Sequence, residues 1–228
     1  MSQEKSTFIP NRVVLIASGG LDSTTLLYRL LAEKKDIFAL TFNYGQKHVK
    51  EVECARVNCE MHHIPHKILS LESITKAGLF GKSSLTSDLS IPEGDYDDTN
   101  MMSTVVPNRN MIMISLALAY AISIRAEAIY YGAHAGDHAI YPDCRPVFVE
   151  AMQQAAKVCH YWPIKIHAPY LHVPKGDIVK EGLVLHVDYA KTWTCYKGGE
   201  QACGKCGSCD ERLKAFEVNN VSDPLDYE

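Results

Sequence analysis

The sequence predicts an α/β domain, a doubly wound parallel sheet followed by a small cysteine-bearing segment. Three observations carry this. Short apolar runs without alternation are interleaved with longer runs of helical period. Glycines follow the first apolar run directly. Four of the eight cysteines crowd between positions 195 and 209. A strand covered on both faces reads as an unbroken apolar run, so Val13-Val14-Leu15-Ile16-Ala17 is expected to be a central strand. Asp22 or Ser23 is expected to cap the helix that follows, and Leu26, Leu27, Leu30 and Leu31 form its apolar stripe.

The remaining elements repeat that order. A second strand is expected at 37–42, a second helix from about Gln46 to His62, and a third strand near 67–69. Strand, helix, strand, helix, strand implies parallel pairing through right-handed crossovers. From about 72 to 104 the texture turns polar, and a polar insert in a compact domain serves as a lid or substrate loop or as a tolerated surface loop. Helices are expected at about 109–125, 146–159 and 174–185, with strands at 128–131 and 164–168. A short helix near 211–216 and a polar tail at 219–228 close the chain. The expected division is a nucleotide-binding domain at 8–190, a cysteine segment at 191–218 and the tail.

The bulk numbers exclude several classes. The chain of 228 residues is 46% apolar, which suits one domain with a core. Its formal charge of −4 offers no broad grip on nucleic acid. Residues 1–7 are polar and lack the apolar centre of a signal peptide, and the longest apolar stretch, 111–124, is too short to span a bilayer. A soluble cytoplasmic protein with reduced thiols and no membrane partner is expected, its 111–124 stretch a buried helix.

Ser18-Gly19-Gly20-Leu21-Asp22-Ser23 falls between a strand and a helix, where ligands gather in parallel sheets. Glycines let the backbone approach an anion, and a helix N-terminus offers unpaired N–H groups. The loop lacks the Gly-Lys-Ser/Thr ending of a P-loop, so a Walker-type phosphotransferase is disfavoured. Alone, Gly19-Gly20 would be a tight turn. The hexapeptide resembles the pyrophosphate loop of the N-type ATP pyrophosphatases, a superfamily with a Rossmann-like, adenine nucleotide alpha hydrolase-like fold. The resemblance implies an ATP site of Ser18, Gly19, Gly20, Leu21, Asp22, Ser23 and Thr24. It implies AMP transfer to a substrate oxygen with release of pyrophosphate, with Asp22 near a Mg²⁺ ion.

Four further stretches narrow the resemblance: Thr41 to His48, Val106 to Asn110, Tyr141 to Arg145, and Thr192 to Tyr196 with the cysteines beyond it. Together with the loop they resemble the 7-cyano-7-deazaguanine synthase family from about Val13 to Phe216. Two departures stand out. Asn108 replaces a more common glycine, and Asn tolerates left-handed backbone. The stretch Gly132 to His138 also departs from the commoner pattern, which leaves His134 and Asp137 without a role.

The resemblance implies that 7-carboxy-7-deazaguanine, ammonia and ATP react through an adenylated acid and an adenylated amide to give a nitrile. It implies a homodimer, with ammonia coming from solution or another protein. Asp22, Ser23, Lys47 and Arg109 are the catalytic candidates. A guanine-like edge presents N–H donors, for which Asp143 is the candidate acceptor. A flat bicycle wants an aromatic face, for which Tyr44, Trp193 and Tyr196 are candidates, with Gln46 beside them. The substrate carboxylate wants a cation: Arg145, Lys47 or Lys165. Asp143 and Arg145 are as well suited to a structural ion pair. A tRNA-thiolating enzyme on the same loop is the alternative function, and Cys144 is its only foothold. A non-catalytic zinc-bearing binding module would leave the phosphate loop unexplained.

Cys195, Cys203, Cys206 and Cys209 have the spacing C-x7-C-x2-C-x2-C. Four thiolates so spaced can wrap one tetrahedral ion, and glycines 204 and 207 permit tight turns. Structural zinc is expected, with an Fe–S cluster as the rival. Cys54, Cys59 and Cys159 are expected to be packing residues, and His62, His63 and His66 a solvated helix end.

Overall fold

The computed structural model describes residues 11–96 and 99–228; the expected domain start at residue 8 and the polar residues 1–7 lie outside the described residues. The strands are β1 (Arg12–Ile16), β2 (Asp36–Asn43), β3 (His66–Ser70), β4 (Ala128–Tyr130) and β5 (Lys165–His167). The helices are α1 (Leu21–Ala32), α2 (Lys50–Met61), α3 (Glu72–Lys76), α4 (Arg109–Ser123), α5 (Pro146–Val158), α6 (Lys175–Val184) and α7 (Gly207–Glu217). All strand pairs are parallel, in the order β3-β2-β1-β4-β5.

β1 is central because it can be buried on both sides. Val13 and Leu15 join the core beneath α1, α2, α6 and α7, whereas Val14 joins the opposite core beneath α4. Successive side chains of a strand point to opposite faces, so an unbroken apolar run feeds both layers. From β1 the chain winds outward to β2 and β3, then returns to place β4 on the other side of β1. Loops leaving β1 and β4 therefore diverge and open a crevice at their carboxyl ends.

Several local expectations are corrected. Gly20, in extended backbone at φ −76° and ψ 170°, caps α1, and Asp22 and Ser23 fall inside the first turn. α2 begins at Lys50, not Gln46, because Gln46 folds back on its own turn: its amide accepts from Tyr44 N at 2.8 Å and donates to the Phe42 carbonyl at 3.3 Å. The apolar stretch over α4 is not enclosed. Met113, Ile114, Ala117 and Ala121 face the sheet, while Met111 is exposed. The 15 residues of α4 extend about 22 Å, short of a bilayer core. The polar insert is not a mere surface loop, since Phe80, Leu85 and Met101 are buried. Cys159 is exposed, unlike buried Cys59. Asn108 has φ 60°, the left-handed backbone its amide tolerates.

The polar tail is docked by backbone pairing with Ala202, whose N–H donates to the Asp226 carbonyl at 3.0 Å and whose carbonyl accepts from Glu228 N at 2.9 Å, and by one buried arginine. Arg212 in α7 donates from Nε to Asp223 Oδ2 at 2.6 Å and from Nη2 to Asp223 Oδ1 at 2.9 Å. Its remaining donors reach Thr192 Oγ1 at 2.7 Å, Thr194 Oγ1 at 3.0 Å and the Tyr189 carbonyl at 3.1 Å. All five N–H groups of the guanidinium are thus satisfied.

Candidate functional site

A cavity of about 210 Å³ opens where the loops after β1 and β4 part. Ser18, Gly20, Leu21, Asp22 and Ser23 line one end. The loop braces itself. Ser18 Oγ lies 2.9 Å from Ser23 Oγ, which accepts the Gly19 N–H at 3.1 Å, and Ser18 Oγ accepts the Gly20 N–H at 3.2 Å. Gly19 has φ +85° and sits on α2, where an added Cβ would lie 2.0 Å from the Glu51 carbonyl oxygen. Gly19 therefore anchors the loop, and neither it nor Thr24 lines the cavity.

Gly19→Ala would combine positive-φ strain with a backbone clash. Affinity for ATP, the ligand that the loop's resemblance implies, should fall at least about tenfold by calorimetry, the equivalent of about 1.4 kcal/mol. Gly78, at φ +76° with nothing within 4 Å, supplies the control. Gly78→Ala should cost about 1–2 kcal/mol of stability and leave affinity unchanged.

Beside the loop stands a charged group that lies outside all five motifs: Lys175, 7% exposed, with Nζ 3.2 Å from Asp22 Oδ2 and 2.7 Å from Glu211 Oε2. Burial alone would lower its pKa, but Asp22 and Glu211 outweigh burial and hold it cationic. Asp22 Oδ1 is buried without a hydrogen-bond partner. An orphaned carboxylate oxygen beside a phosphate-type loop fits a hard cation such as Mg²⁺. One sequence signal could have found Lys175: it follows Pro174 at the first position of α6, where the helix dipole disfavours a cation. His134 Nδ1 accepts from Gly136 N at 3.0 Å, and Asp137 Oδ2 accepts from His134 N at 3.0 Å. These two residues shape the turn after β4.

The other end of the cavity is aromatic. Arg109 Nη1 donates to Tyr44 OH at 3.0 Å, and Tyr141 OH lies 3.2 Å from Tyr196 OH. Tyr96 OH donates to Asp137 Oδ1 at 3.0 Å. Burial works against the Arg109 charge, but Tyr44 and Asp143 outweigh it. Burial raises Tyr44 to about 12. Burial, then Arg109, lowers His48 to about 3, so its imidazole is neutral. Burial raises Glu51 to about 7.

Of the sequence candidates, Tyr44, Arg109, Trp193 and Tyr196 line this cavity with the loop residues. Asp143 and Arg145 do not. Asp143 Oδ2 accepts the Asn110 N–H at 3.0 Å at the start of α4, and exposed Arg145 donates to the His138 carbonyl at 2.9 Å. Lys47 donates to the Leu89 carbonyl at 2.6 Å and ties down the insert, and Gln46 is spent on its turn and on Glu51. Lys165 lies on β5, away from the lining. Sequence reasoning missed Lys175, Glu51, His48, Tyr96, Tyr131 and Tyr141, all of which line the cavity.

Behind the aromatic end, the ligand atoms of Cys195, Cys203, Cys206 and Cys209 lie within 4.8 Å of one another, all buried. This is the one such group of His, Cys, Asp or Glu found among the described residues. Tetrahedral Zn–S bonds of about 2.3 Å would put the sulfurs about 3.8 Å apart, which this cluster can meet with small shifts. The Cys206 N–H donates to Cys203 Sγ at 3.3 Å and the Cys203 N–H to Cys195 Sγ at 3.4 Å, the pattern of a thiolate cage. The cluster can hold a metal ion.

Fold and cavity define a parallel α/β domain with a glycine loop and a cavity at the sheet's switch point, the arrangement in which such folds bind their ligands. The sheet is shared with the NMN synthetase of Francisella tularensis, at TM-score 0.52 and 14% identity, covering 92% of this chain and 77% of that one. Residues 12–220 match the family described as queuosine biosynthesis protein QueC, and the chain belongs to that family. The 7-cyano-7-deazaguanine synthase of Hahella chejuensis is 58% identical over 228 residues, covering 100% of this chain and 98% of the relative. 7-Cyano-7-deazaguanine synthase 1 of Colwellia psychrerythraea is 55% identical over 217 residues, covering 95% and 99%.

Proposed function

We propose that the chain makes 7-cyano-7-deazaguanine from 7-carboxy-7-deazaguanine, ammonia and ATP, adenylating first the acid and then the amide. The observation that carries this is the phosphate-type loop with its Lys175–Asp22 pair, facing an aromatic wall, in a chain 58% identical to a synthase of that name. A carboxylate or amide oxygen is a poor leaving group, and transfer of AMP makes it a good one. Main-chain N–H groups of the loop, Ser18, Ser23 and Lys175 hold the departing pyrophosphate, where preplaced dipoles act most strongly. Mg²⁺ held at Asp22 would neutralise phosphate charge. Tyr44 and Tyr196 flank the flat base, and Arg109 carries charge toward the acid. Zinc at the four cysteines is structural, pinning Trp193 and Tyr196 against the ATP end. The protein works in the cytoplasm as a homodimer.

Tyr44, Arg109, Trp193 and Tyr196 remain in this reading, whereas Asp143, Arg145, Lys47 and Gln46 serve the walls around them. A thiolating role finds no support at Cys144, since burial pushes this thiol well up and away from the thiolate. The test incubates the protein with Mg-ATP, ammonium and the acid, with products read by mass spectrometry. AMP, pyrophosphate and the nitrile support the proposal, and ADP in place of AMP would end it. Lys175→Met should lower kcat/KM by about 100-fold or more, as for loss of a preplaced charge donor. An unchanged rate would remove Lys175 from the pyrophosphate site.

A further inference from the structure

A nitrile nitrogen carries no hydrogen, so on the proposed route every proton of ammonia must leave within the cavity. An acceptor is needed where the nucleotide end meets the aromatic end, because the reacting carbon is joined through oxygen to the α-phosphate. Three carboxylates line the cavity. Asp22 is paired with Lys175 at 3.2 Å. Both oxygens of Asp137 are engaged, by Tyr96 OH at 3.0 Å and His134 N at 3.0 Å. Glu51 has neither restraint: only Oε1 is held, accepting from Gln46 Nε2 at 3.0 Å and lying 3.4 Å from His48 Nε2. No lysine or arginine reaches ion-pair distance of Glu51 among the described residues.

Its position is also fixed from both sides. The Glu51 carbonyl underlies Gly19 of the phosphate loop, and its carboxyl faces the turn that carries Tyr44 and His48. We propose that Glu51 is the base that strips the nitrogen of its protons, an inference that rests on the nitrile-forming reading above. When ammonia's lone pair forms the C–N bond, the C–O bond to AMP breaks, its electron pair leaves on AMP, and the Glu51 carboxylate takes a proton. Glu51 returns that proton to water. The adenylated amide then gives one proton to Glu51, which again passes it to water, and becomes an imidate. Glu51 takes the last proton as the N–H pair becomes the third C–N bond and the C–O bond to AMP breaks, its electron pair leaving on AMP.

The groups facing Glu51 are His48 from the turn before α2, Tyr44 from the end of β2, Arg109 from α4 and Cys54 from α2 itself. His48 is too weak a base, because burial lowers it to about 3. Burial leaves Glu51 at about 7, matched to proton transfer near neutrality.

The test starts from the amide, which removes ammonium's own titration from the profile. Wild-type kcat/KM for nitrile formation should fall on the acid side with an apparent pKa of about 7. Glu51→Gln should lose that limb and about 100-fold or more in rate. Glu51→Asp should keep the limb with a smaller loss. Acid-dependent exchange of pyrophosphate into ATP, measured without ammonium, should survive in Glu51→Gln within about threefold. A retained limb, an unchanged rate, or exchange lost in step with nitrile formation overturns the role of Glu51. Absence of exchange in the wild type overturns the proposed function itself.

Discussion

With a metal ion held by the four cysteines, as proposed, Cys206→Ser should cost the protein that ion, about 5 kcal/mol or more of stability, and most of its activity. At about 2–4 °C per kcal/mol for a chain of this size, the midpoint of thermal unfolding should drop by about 10–20 °C. The physical reason is the charge of the cluster. Close-packed sulfurs cannot all ionise without a cation: Cys195 is drawn down by thiol hydrogen bonds from Cys206 and Cys209, while Cys206 is pushed up by Cys195. A divalent ion lets all four ionise, and Cys206 caps α7, whose N-terminal dipole favours the thiolate. The damage should reach the cavity because Trp193 Nε1 donates to the Cys195 carbonyl at 2.9 Å and Tyr196 follows in sequence. Metal content, calorimetry and Trp193 fluorescence read the three consequences. A Cys206→Ser protein with wild-type stability would dismiss a structural ion, and iron with visible absorbance would replace zinc.

Arg212→Met should destabilise by about 3–5 kcal/mol, because it strands the Asp223 carboxylate in the interior. The pair is 0% and 1% exposed, so water cannot replace the lost partner. The loss extends past the ion pair. Thr192, Thr194 and the Tyr189 carbonyl each lose a charged donor, and a buried acceptor left unmade costs about 1–3 kcal/mol. Asp223 also accepts from Tyr227 OH at 2.6 Å and from Leu225 N at 3.1 Å, so the docked tail should loosen with it. Arg212→Met with Asp223→Leu should recover part of the stability, since the unpaired charge is then gone. Chemical denaturation measures both variants. Equal losses in the single and double variants would mean that the lost threonine and carbonyl contacts of Arg212, and not the stranded charge, set the loss.

The parts of the molecule that were legible in the sequence were those fixed by neighbours along the chain. Val13 to Ala17 reads as a strand covered on both faces, as β1 is, and Gly19 takes the positive φ that a loop of this kind needs. The cysteine spacing placed four sulfurs within reach of one ion. The site's charged centre depends instead on distant segments. Lys175 meets Asp22 because α6 packs against α1, and Glu211 arrives with α7. No local pattern announces such a meeting, apart from the lysine set against its helix dipole. Asp143 was a candidate because a guanine-like edge needs an acceptor, with an ion pair to Arg145 as the plainer reading; instead it accepts the Asn110 N–H at the start of α4, while Arg145 turns to the His138 carbonyl. The insert hid its anchors, since Phe80, Leu85 and Met101 are too widely spaced to show a period.

The seat of Gly19 on α2 has a thermodynamic consequence. A turn already wedged between a strand and a neighbouring helix has little disorder left to lose when its guest arrives. On the proposed function, capture of the triphosphate should therefore carry a small entropic penalty from the polypeptide, and its donors should be aimed before encounter. The catalytic step inherits that readiness, because dipoles that need no reorientation cost nothing at the moment of bond exchange.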